Sequence, residues 1–519
     1  MGRKLIKYPI YSITLVLFLI FIILPVLNSI RIAVLDSHFF ENINDIGSDI
    51  EFLLLKSSFL SAMVAIISTF FGIVLGFLIY KTSVTYRKYF KIILLIPLFI
   101  SPYILAVAWK DIFLLFFDKI ENTNSVLAII FVHSTIYIPL SILIIGSALV
   151  NVSKHIEESA LMITGLRKMF TGILLPLIKP AILSSLVLIF IFSISEFSVP
   201  AYFGVKVFTT EIFTQFSAFY NYNLAMLHSS LLIVVCVLFL VSERKYIADS
   251  PFLSVGTRGK TTKIYALGHY KNTGFSLLVS STFIMIIFPF LMLIYQSFEK
   301  GTDSFVKAME LLVPTFGNSL FLALTGSVFT LIIGFVSAYF SIIYRKILLD
   351  NLLLFTFAIP SIIIGISLIK FYNTPYLNGI YSGFWIIIIG YVAKYGFIPA
   401  KLLENAIKQL PKSLNEVAII QGIGFTKRIF FIIIPLILPS IFAAFIINFL
   451  FCLSDLGTTI MVYPPGTEIM PIKVFTIMAN APQSLTDSMV LIVFIFTMLI
   501  ISLLFFIFKK IFTSYNVNY

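Results

Sequence analysis

Two segments of this 519-residue chain carry residue types in a spacing that chemistry could use. In one, Glu416-Val417-Ala418-Ile419-Ile420-Gln421-Gly422 is followed by nine residues and then Ile432-Ile433-Ile434-Pro435. A carboxylate can pair with a basic group, a small residue allows close approach, and glycine permits a sharp turn. Proline is tolerated in the first turn of the helix that would follow. The pattern therefore reads as a short helix that presents an acid, a turn, and a new helix entry. It recurs 259 residues earlier, where Glu157, Gly165, Ile173, Pro176 and Pro180 stand in the places of Glu416, Gly424, Ile432, Pro435 and Pro439. With 21 prolines in the chain, a matched pair of Pro-x-x-x-Pro is not expected by chance. The first copy is degenerate. Its glycine position falls on Ile163, with Gly165 two residues later, and Glu158-Ser159-Ala160 offers a register shifted by one. An ordinary charged loop is the bland alternative, and the duplication argues against it.

A second pair recurs at the same offset: Glu196 and Asp455, each near the end of an apolar run and followed by Ser198 and Thr458 respectively. An acid inside a membrane span costs about 2.5–3.5 kcal/mol at mid-bilayer. Two readings follow. The pair lines a shared path on the axis relating the repeats, or each acid sits at the outer interface, satisfied by water or a helix N-terminus. His133 reads as a hydrogen-bonded packing residue, with a proton relay as its alternative, and Lys110 and Lys370 read as snorkelling to the outer interface. Cys236 and Cys452 lie in apolar runs and build neither a disulfide framework nor a metal cluster. There is no G-x-x-x-x-G-K-[ST] and no H-E-x-x-H, so neither nucleotide hydrolysis nor metal-assisted catalysis is expected of this chain.

The elements that position these residues are set by composition. Hydrophobic residues make up 60% and charged residues 11%, against about 25% charged in a soluble domain. The bilayer is the solvent such a surface needs. The net charge of +13 is scattered in short groups, which fits the positive-inside rule better than nucleic acid. Arg3, Lys4 and Lys7 precede an apolar run that is too long for a signal h-region and lacks a cleavage site, so it reads as a retained first span. Twelve spans are expected, near 9–30, 57–80, 91–113, 125–150, 180–203, 223–242, 273–297, 317–344, 350–372, 382–407, 437–460 and 488–509.

Basic residues mark alternate loops: Lys81, Arg87, Lys88 and Lys91; Arg244, Lys245, Arg258, Lys260, Lys263 and Lys271; Arg345 and Lys346; Lys509 and Lys510. The intervening loops are acidic or mixed, with Asp36, Glu41, Asp45, Asp49 and Glu51 against Arg31 in the first and Asp111, Asp118 and Glu121 in the next. Both termini are therefore expected in the cytoplasm. The polar stretch 243–272 divides the chain into halves, 1–242 and 273–519, of six spans each. An even number of spans makes the repeats parallel, about an axis along the membrane normal. Ser58–Ala62 matches Ser319–Ala323, and Pro102 and Pro139 match Pro360 and Pro399, at offsets a residue or two different.

The Glu416–Pro435 segment resembles the E-A-A-x-x-x-G-(x)9-I-x-L-P signature of ABC importer permeases, with Val417 and Ile434 as departures. Glu196–Gly204, Asp455–Thr459 and Pro464–Glu468 resemble the fused permeases of ferric-iron importers and their relatives for thiamine, phosphonates or polyamines. The resemblance implies an all-α polytopic membrane protein, two parallel six-span repeats of the type I ABC importer permease fold. It implies that Glu157, Glu158, Ser159 and Gly165, with Glu416, Ala418, Gly422 and Gly424, couple to the ATPase. It also implies two copies of a cytoplasmic ATPase subunit that carry the ATP and magnesium, an extracytoplasmic substrate-binding protein, and a bacterial inner-membrane location. The chain itself would bind no cofactor. An ion-coupled secondary transporter using Glu196 and Asp455, or a membrane-embedded transferase, is the rival; neither explains the repeated loop.

Overall fold

The computed structural model describes residues 7–34, 48–116, 125–249, 263–299 and 301–515. Arg3, Lys4, Asp36, Glu41, Asp45, Asp118, Glu121, Arg258 and Lys260, used above for orientation, lie outside the described residues, as do the side chains of Arg244 and Lys245. Among the described residues the regular elements are helical, with one isolated parallel bridge between Thr82 and Tyr265. In lipid that is the economical solution, because a helix satisfies its backbone groups within itself.

Among the described residues nine helices are long and apolar enough to cross a membrane, and three bent helix pairs bring the number up to twelve if each pair is one span. In order, the spans are Pro9–Ile32, Asp49–Lys81, the pair Arg87–Phe99 with Pro102–Phe116, Val126–Asn151, Phe170–Ser195 and Tyr222–Val241. They continue as Gly268–Phe298, Asp303–Tyr344, the pair Leu348–Ala358 with Ser361–Tyr372, the pair Trp385–Tyr395 with Phe397–Lys408, Phe425–Ser454 and Gln483–Ile511. The third and ninth spans break at equivalent places, Pro102 and Pro360, with bends of 96° and 105°. Ile100 and Ile359 are extended there, and Ile359 directly precedes Pro360, a place that disfavours the helical region.

The prolines also explain a second regularity. Pro25, Pro176, Pro289 and Pro435 each stand two residues past a five-residue π-helical stretch: Leu19–Ile23, Phe170–Leu174, Phe283–Ile287 and Ile429–Ile433. Proline lacks an N–H and its ring crowds the carbonyl four residues back, and a wider turn relieves both. This corrects the expectation that Pro176 and Pro435 open spans five and eleven. Both helices continue upstream past the π turn, so these spans begin at Phe170 and Phe425, not near 180 and 437. They also end earlier than expected, at Ser195 and Ser454.

Each half is embraced by the first span of the other. The first span packs on the eighth, ninth and tenth, with Tyr11 over Phe340 and the Tyr372 hydroxyl donating 3.0 Å to the Phe21 carbonyl. Reciprocally, Leu278 and Met285 of the seventh span complete a core with Leu75, Phe90 and Ile142 of the first half. Polar side chains bond between spans, as packing in lipid favours: Thr69, Ser185 and Ser141 form a hydroxyl chain, and Asn448 donates to Thr330. Asp111, read as a loop acid, is instead buried against the twelfth span, where Gln483 donates to it at 2.5 Å. The sixth helix runs on to Asp249, so the stretch 243–272 is not all linker.

Candidate functional site

Spans five and eleven stop where their carboxylates begin. Glu196 and Asp455 are extended residues at the C-terminal ends of these helices, and each carboxylate turns to the start of the next short helix. Glu196 accepts from the Ser198 and Val199 amides at 2.9 Å and from the Ser198 hydroxyl at 2.5 Å. Asp455 accepts from the Thr459 amide at 2.9 Å, from the Thr459 hydroxyl, and from the Tyr395 hydroxyl at 2.6 Å. An acid in this position satisfies amides that would otherwise be orphaned at a helix start.

The same two residues line one cavity of about 100 Å³, together with Ser101, Ser195, Ser361 and Ser454. Each acid thus caps a helix, and both line one space between the halves. The broken spans supply the other walls. Ser101, at the break of the third span, donates 2.8 Å to the Ser454 carbonyl, and the Ser454 hydroxyl returns 2.9 Å to the Phe99 carbonyl. Lys394 is buried and donates to the Phe357 and Ile359 carbonyls at the break of the ninth span. Irregular backbone at membrane depth is tolerated where it lines such a cavity. The volume is well below the roughly 300–1,000 Å³ of small-molecule sites.

Phe192 and Phe451 lie one helical turn before the two acids, on the side of the repeated loops. Their rings stack with centroids 6.5 Å apart, and both line the cavity. Neither was singled out in the sequence, although they recur at the same 259-residue offset as the acids; in a chain with 56 phenylalanines the signal is diluted. Ser198 lines the cavity and Thr458 does not. It is buried beside Gly390, whose missing side chain leaves room for it. His133 is buried, with Nδ1 3.1 Å from the Ser193 hydroxyl and Nε2 3.4 Å from Glu196. Lys110 donates to the Tyr202 carbonyl and lies over its ring, and Lys370 lies over Tyr222.

At the other end of spans five and eleven, the repeated loops differ. In the second half, the helix Lys412–Ile420 ends in a Schellman cap: the Gly422 amide donates to the Ile419 carbonyl and the Ile423 amide to the Ala418 carbonyl, each at 3.0 Å. Gly422 has φ +79°, which glycine adopts without strain, and Gly424 is the extended residue before the next helix. Glu416 is exposed, Ala418 is 4% exposed, and Val417, Ile419 and Ile420 are exposed apolar side chains, Ile420 at 83%.

In the first half, the helix Lys154–Met169 is interrupted at Gly165 alone (φ +73°, ψ 171°). Ile163 occupies the turn position, and a β-branched residue resists positive φ, so the turn moves two residues on. Helix starts at Lys154 and Lys412, and the buried Ala160 beside the buried Ala418, align Glu158-Ser159-Ala160 with Glu416-Val417-Ala418. That is the shifted register. Glu157, aligned with Glu416 by counting back from the prolines, is instead fully buried, paired with Lys81, and accepts from the Tyr265 hydroxyl at 2.5 Å. Glu158 is the half-exposed acid, 2.8 Å from Lys263 and 3.7 Å from Lys154. The hydrogen bond from Lys263 holds its carboxyl below the usual glutamate range. Ser159 is exposed, and Met162 and Ile163 are exposed at 88% and 83%.

Residues 330–514 match the family described as "Binding-protein-dependent transport system inner membrane component", a match that includes the Glu416 loop. The chain is 26% identical over 462 residues to the Fe(3+)-transport system permease protein FbpB 2 of Haemophilus influenzae, covering 86% of this chain and 88% of that relative. It is 24% identical to the ferric transport system permease protein FbpB of Actinobacillus pleuropneumoniae, covering 80% of this chain and 65% of that relative.

Proposed function

We propose that this chain, an inner-membrane permease of the ABC importer type resembling the ferric-iron permeases, forms the translocation path for ferric iron. The observation that carries the reading is one of continuity. In each half, a single helix begins just past the repeated loop and ends at the carboxylate that lines the shared cavity. Phe425–Ser454, at about 1.5 Å per residue, is about 45 Å long. A push on the loop therefore reaches the cavity through one rigid element, with a π turn near its base.

The parts divide the work. The exposed apolar faces around Met162 and Ile163, and around Val417, Ile419 and Ile420, call for a protein cover. Two copies of a cytoplasmic ATPase subunit, carrying ATP and magnesium, provide it, with Glu158 and Glu416 beside the contacts. Closure of the ATPases moves spans five and eleven and parts Phe192 from Phe451. The path opened there is lined by hydroxyl and carboxylate oxygens, the donors a hard cation such as ferric iron prefers. An extracytoplasmic binding protein delivers the substrate. Both termini and the 243–272 stretch lie in the cytoplasm, and the halves 1–242 and 273–519 act as two permease units. Thiamine, phosphonate or polyamine would use the same machinery.

Reconstitution tests the reading. Proteoliposomes holding the chain with its ATPase and binding protein should take up ferric iron only with ATP, and an uncoupler should leave uptake intact. Uptake that persists without the ATPase and collapses with the uncoupler would establish an ion-coupled carrier instead. A cysteine at Asp45 should react with an impermeant reagent from outside intact cells, and one at Lys260 should not.

A further inference from the structure

The stretch between the halves does more than connect them. Tyr265 runs beside the end of the second span: its amide donates 2.7 Å to the Lys81 carbonyl, and its carbonyl accepts 3.0 Å from the Ser83 amide. Its ring stacks on Phe77, and its hydroxyl reaches Glu157 at 2.5 Å and the Met169 sulfur at 3.8 Å. Two residues earlier, Lys263 pairs with Glu158. One short segment thus grips the second span, both glutamates of the first loop, and the base of the fifth span.

Among the described residues the second half shows no such segment. At the 261-residue offset that relates Ser58–Ala62 to Ser319–Ala323, Lys81 corresponds to Ile342; at the 259-residue offset, Met169 corresponds to Arg428. Ile342, Arg428, Glu416 and Ala418 surround a cavity of about 300 Å³. Where the first half holds Tyr265, the second half is open.

We propose that Lys263–Tyr265 is a strap, and that Tyr265 and Lys263 are positioning residues that fix the first loop to the second span so that a push on it moves the fifth span. The strap holds, from within the chain, a loop whose turn has moved to Gly165. Its link to transport rests on the importer reading; its hold on the loop does not.

The test uses the full chain with its ATPase in lipid, and reads amide exchange in residues 154–164 and 412–420 alongside substrate moved per ATP hydrolysed. Tyr265→Phe keeps the ring and loses the hydroxyl. It should speed exchange in 154–164 by roughly ten- to a hundredfold, the equivalent of one hydrogen bond to a charged group, and leave 412–420 unchanged. ATP hydrolysis should continue while uptake per ATP falls. Lys263→Glu breaks a more exposed pair and should speed exchange only a few-fold, and adding Glu158→Lys should restore it. Unchanged exchange in 154–164 on Tyr265→Phe, or a charge swap that restores nothing, overturns the strap. Exchange needs no transport, so a failure of the importer reading shows separately, as loss of ATP-dependent uptake by the wild-type chain.

Discussion

The two loops descend from one pattern and are held in opposite ways. The first is braced from inside: Glu157 is buried between Lys81 and Tyr265, and Glu158 is tied to Lys263. The second is capped by its own backbone, with Glu416 exposed at the edge of a cavity of about 300 Å³. A loop that keeps its signature can leave its acid for a partner. A loop that has lost its signature is held by other parts of the chain. Motif degeneracy here marks a change in what holds the turn, and the fold around it is kept.

The largest difference should come from the two glutamates. Glu157→Ala leaves Lys81 buried without its partner, and breaking such a pair costs about 3–5 kcal/mol. Lower membrane levels and a lower melting temperature in detergent should follow. Glu416→Ala should leave both unchanged. Its effect falls on the partner, where losing one member of a buried charge pair costs about 2–5 kcal/mol of association, read by ATPase co-purification at matched membrane levels. Equal destabilisation by the two substitutions would erase the contrast.

The glycines sharpen it. Gly165 has φ +73° and ψ 171°, a region essentially reserved for glycine, so Gly165→Asn should cost about 1–3 kcal/mol in thermal stability. Gly422 closes a Schellman cap, a position where asparagine also occurs, so Gly422→Asn should cost less than about 1 kcal/mol. Similar losses at both sites would mean the turns are alike after all.

The smallest effect concerns pH. The Glu158 carboxyl is held below the usual glutamate range by the hydrogen bond from Lys263. A depressed carboxylate contributes stability above its unfolded pKa, near 4.5, and loses it as pH falls through the lower folded value. Amide exchange of residues 154–164, corrected for intrinsic rates, should therefore not change between pH 8 and pH 5.5 through this pair. Loosening confined to that window would point to another group.

Much of this was legible in the sequence, for physical reasons. Long apolar runs must become helices in lipid, so the apolar segments are legible, whereas the match of Pro102 with Pro360 shows the repeat and not the breaks the helices make there. Repeat offsets located Glu196 and Asp455 because acids in apolar runs are conspicuous. Phe192 and Phe451 carry the same offset but vanish among other phenylalanines. Proline in these runs suggests a helix start, but a π turn lets the helix run through it, so the ends of spans five and eleven lie elsewhere. The role of Tyr265 was invisible: a tyrosine in a polar linker has no periodicity, and its partners Lys81 and Glu157 are more than 100 residues away. Counting back from the prolines points to Glu157, but the first loop is one residue shorter, and Glu158 is its more exposed acid.

On the proposed reading, the Glu416–Gly422 loop is where ATP hydrolysis acts on this chain. Cys236 and Cys452 are both buried, so a cysteine placed at Ile420, 83% exposed, can be addressed selectively. With the ATPase present, a short thiol cross-linker should join Ile420→Cys to that subunit in a nucleotide-dependent yield, and the cross-linked complex should lose ATP-driven uptake. Labelling of Ile420→Cys by an impermeant reagent from outside the cell, or full ATP-driven uptake with no cross-link to the ATPase in any nucleotide state, would contradict it.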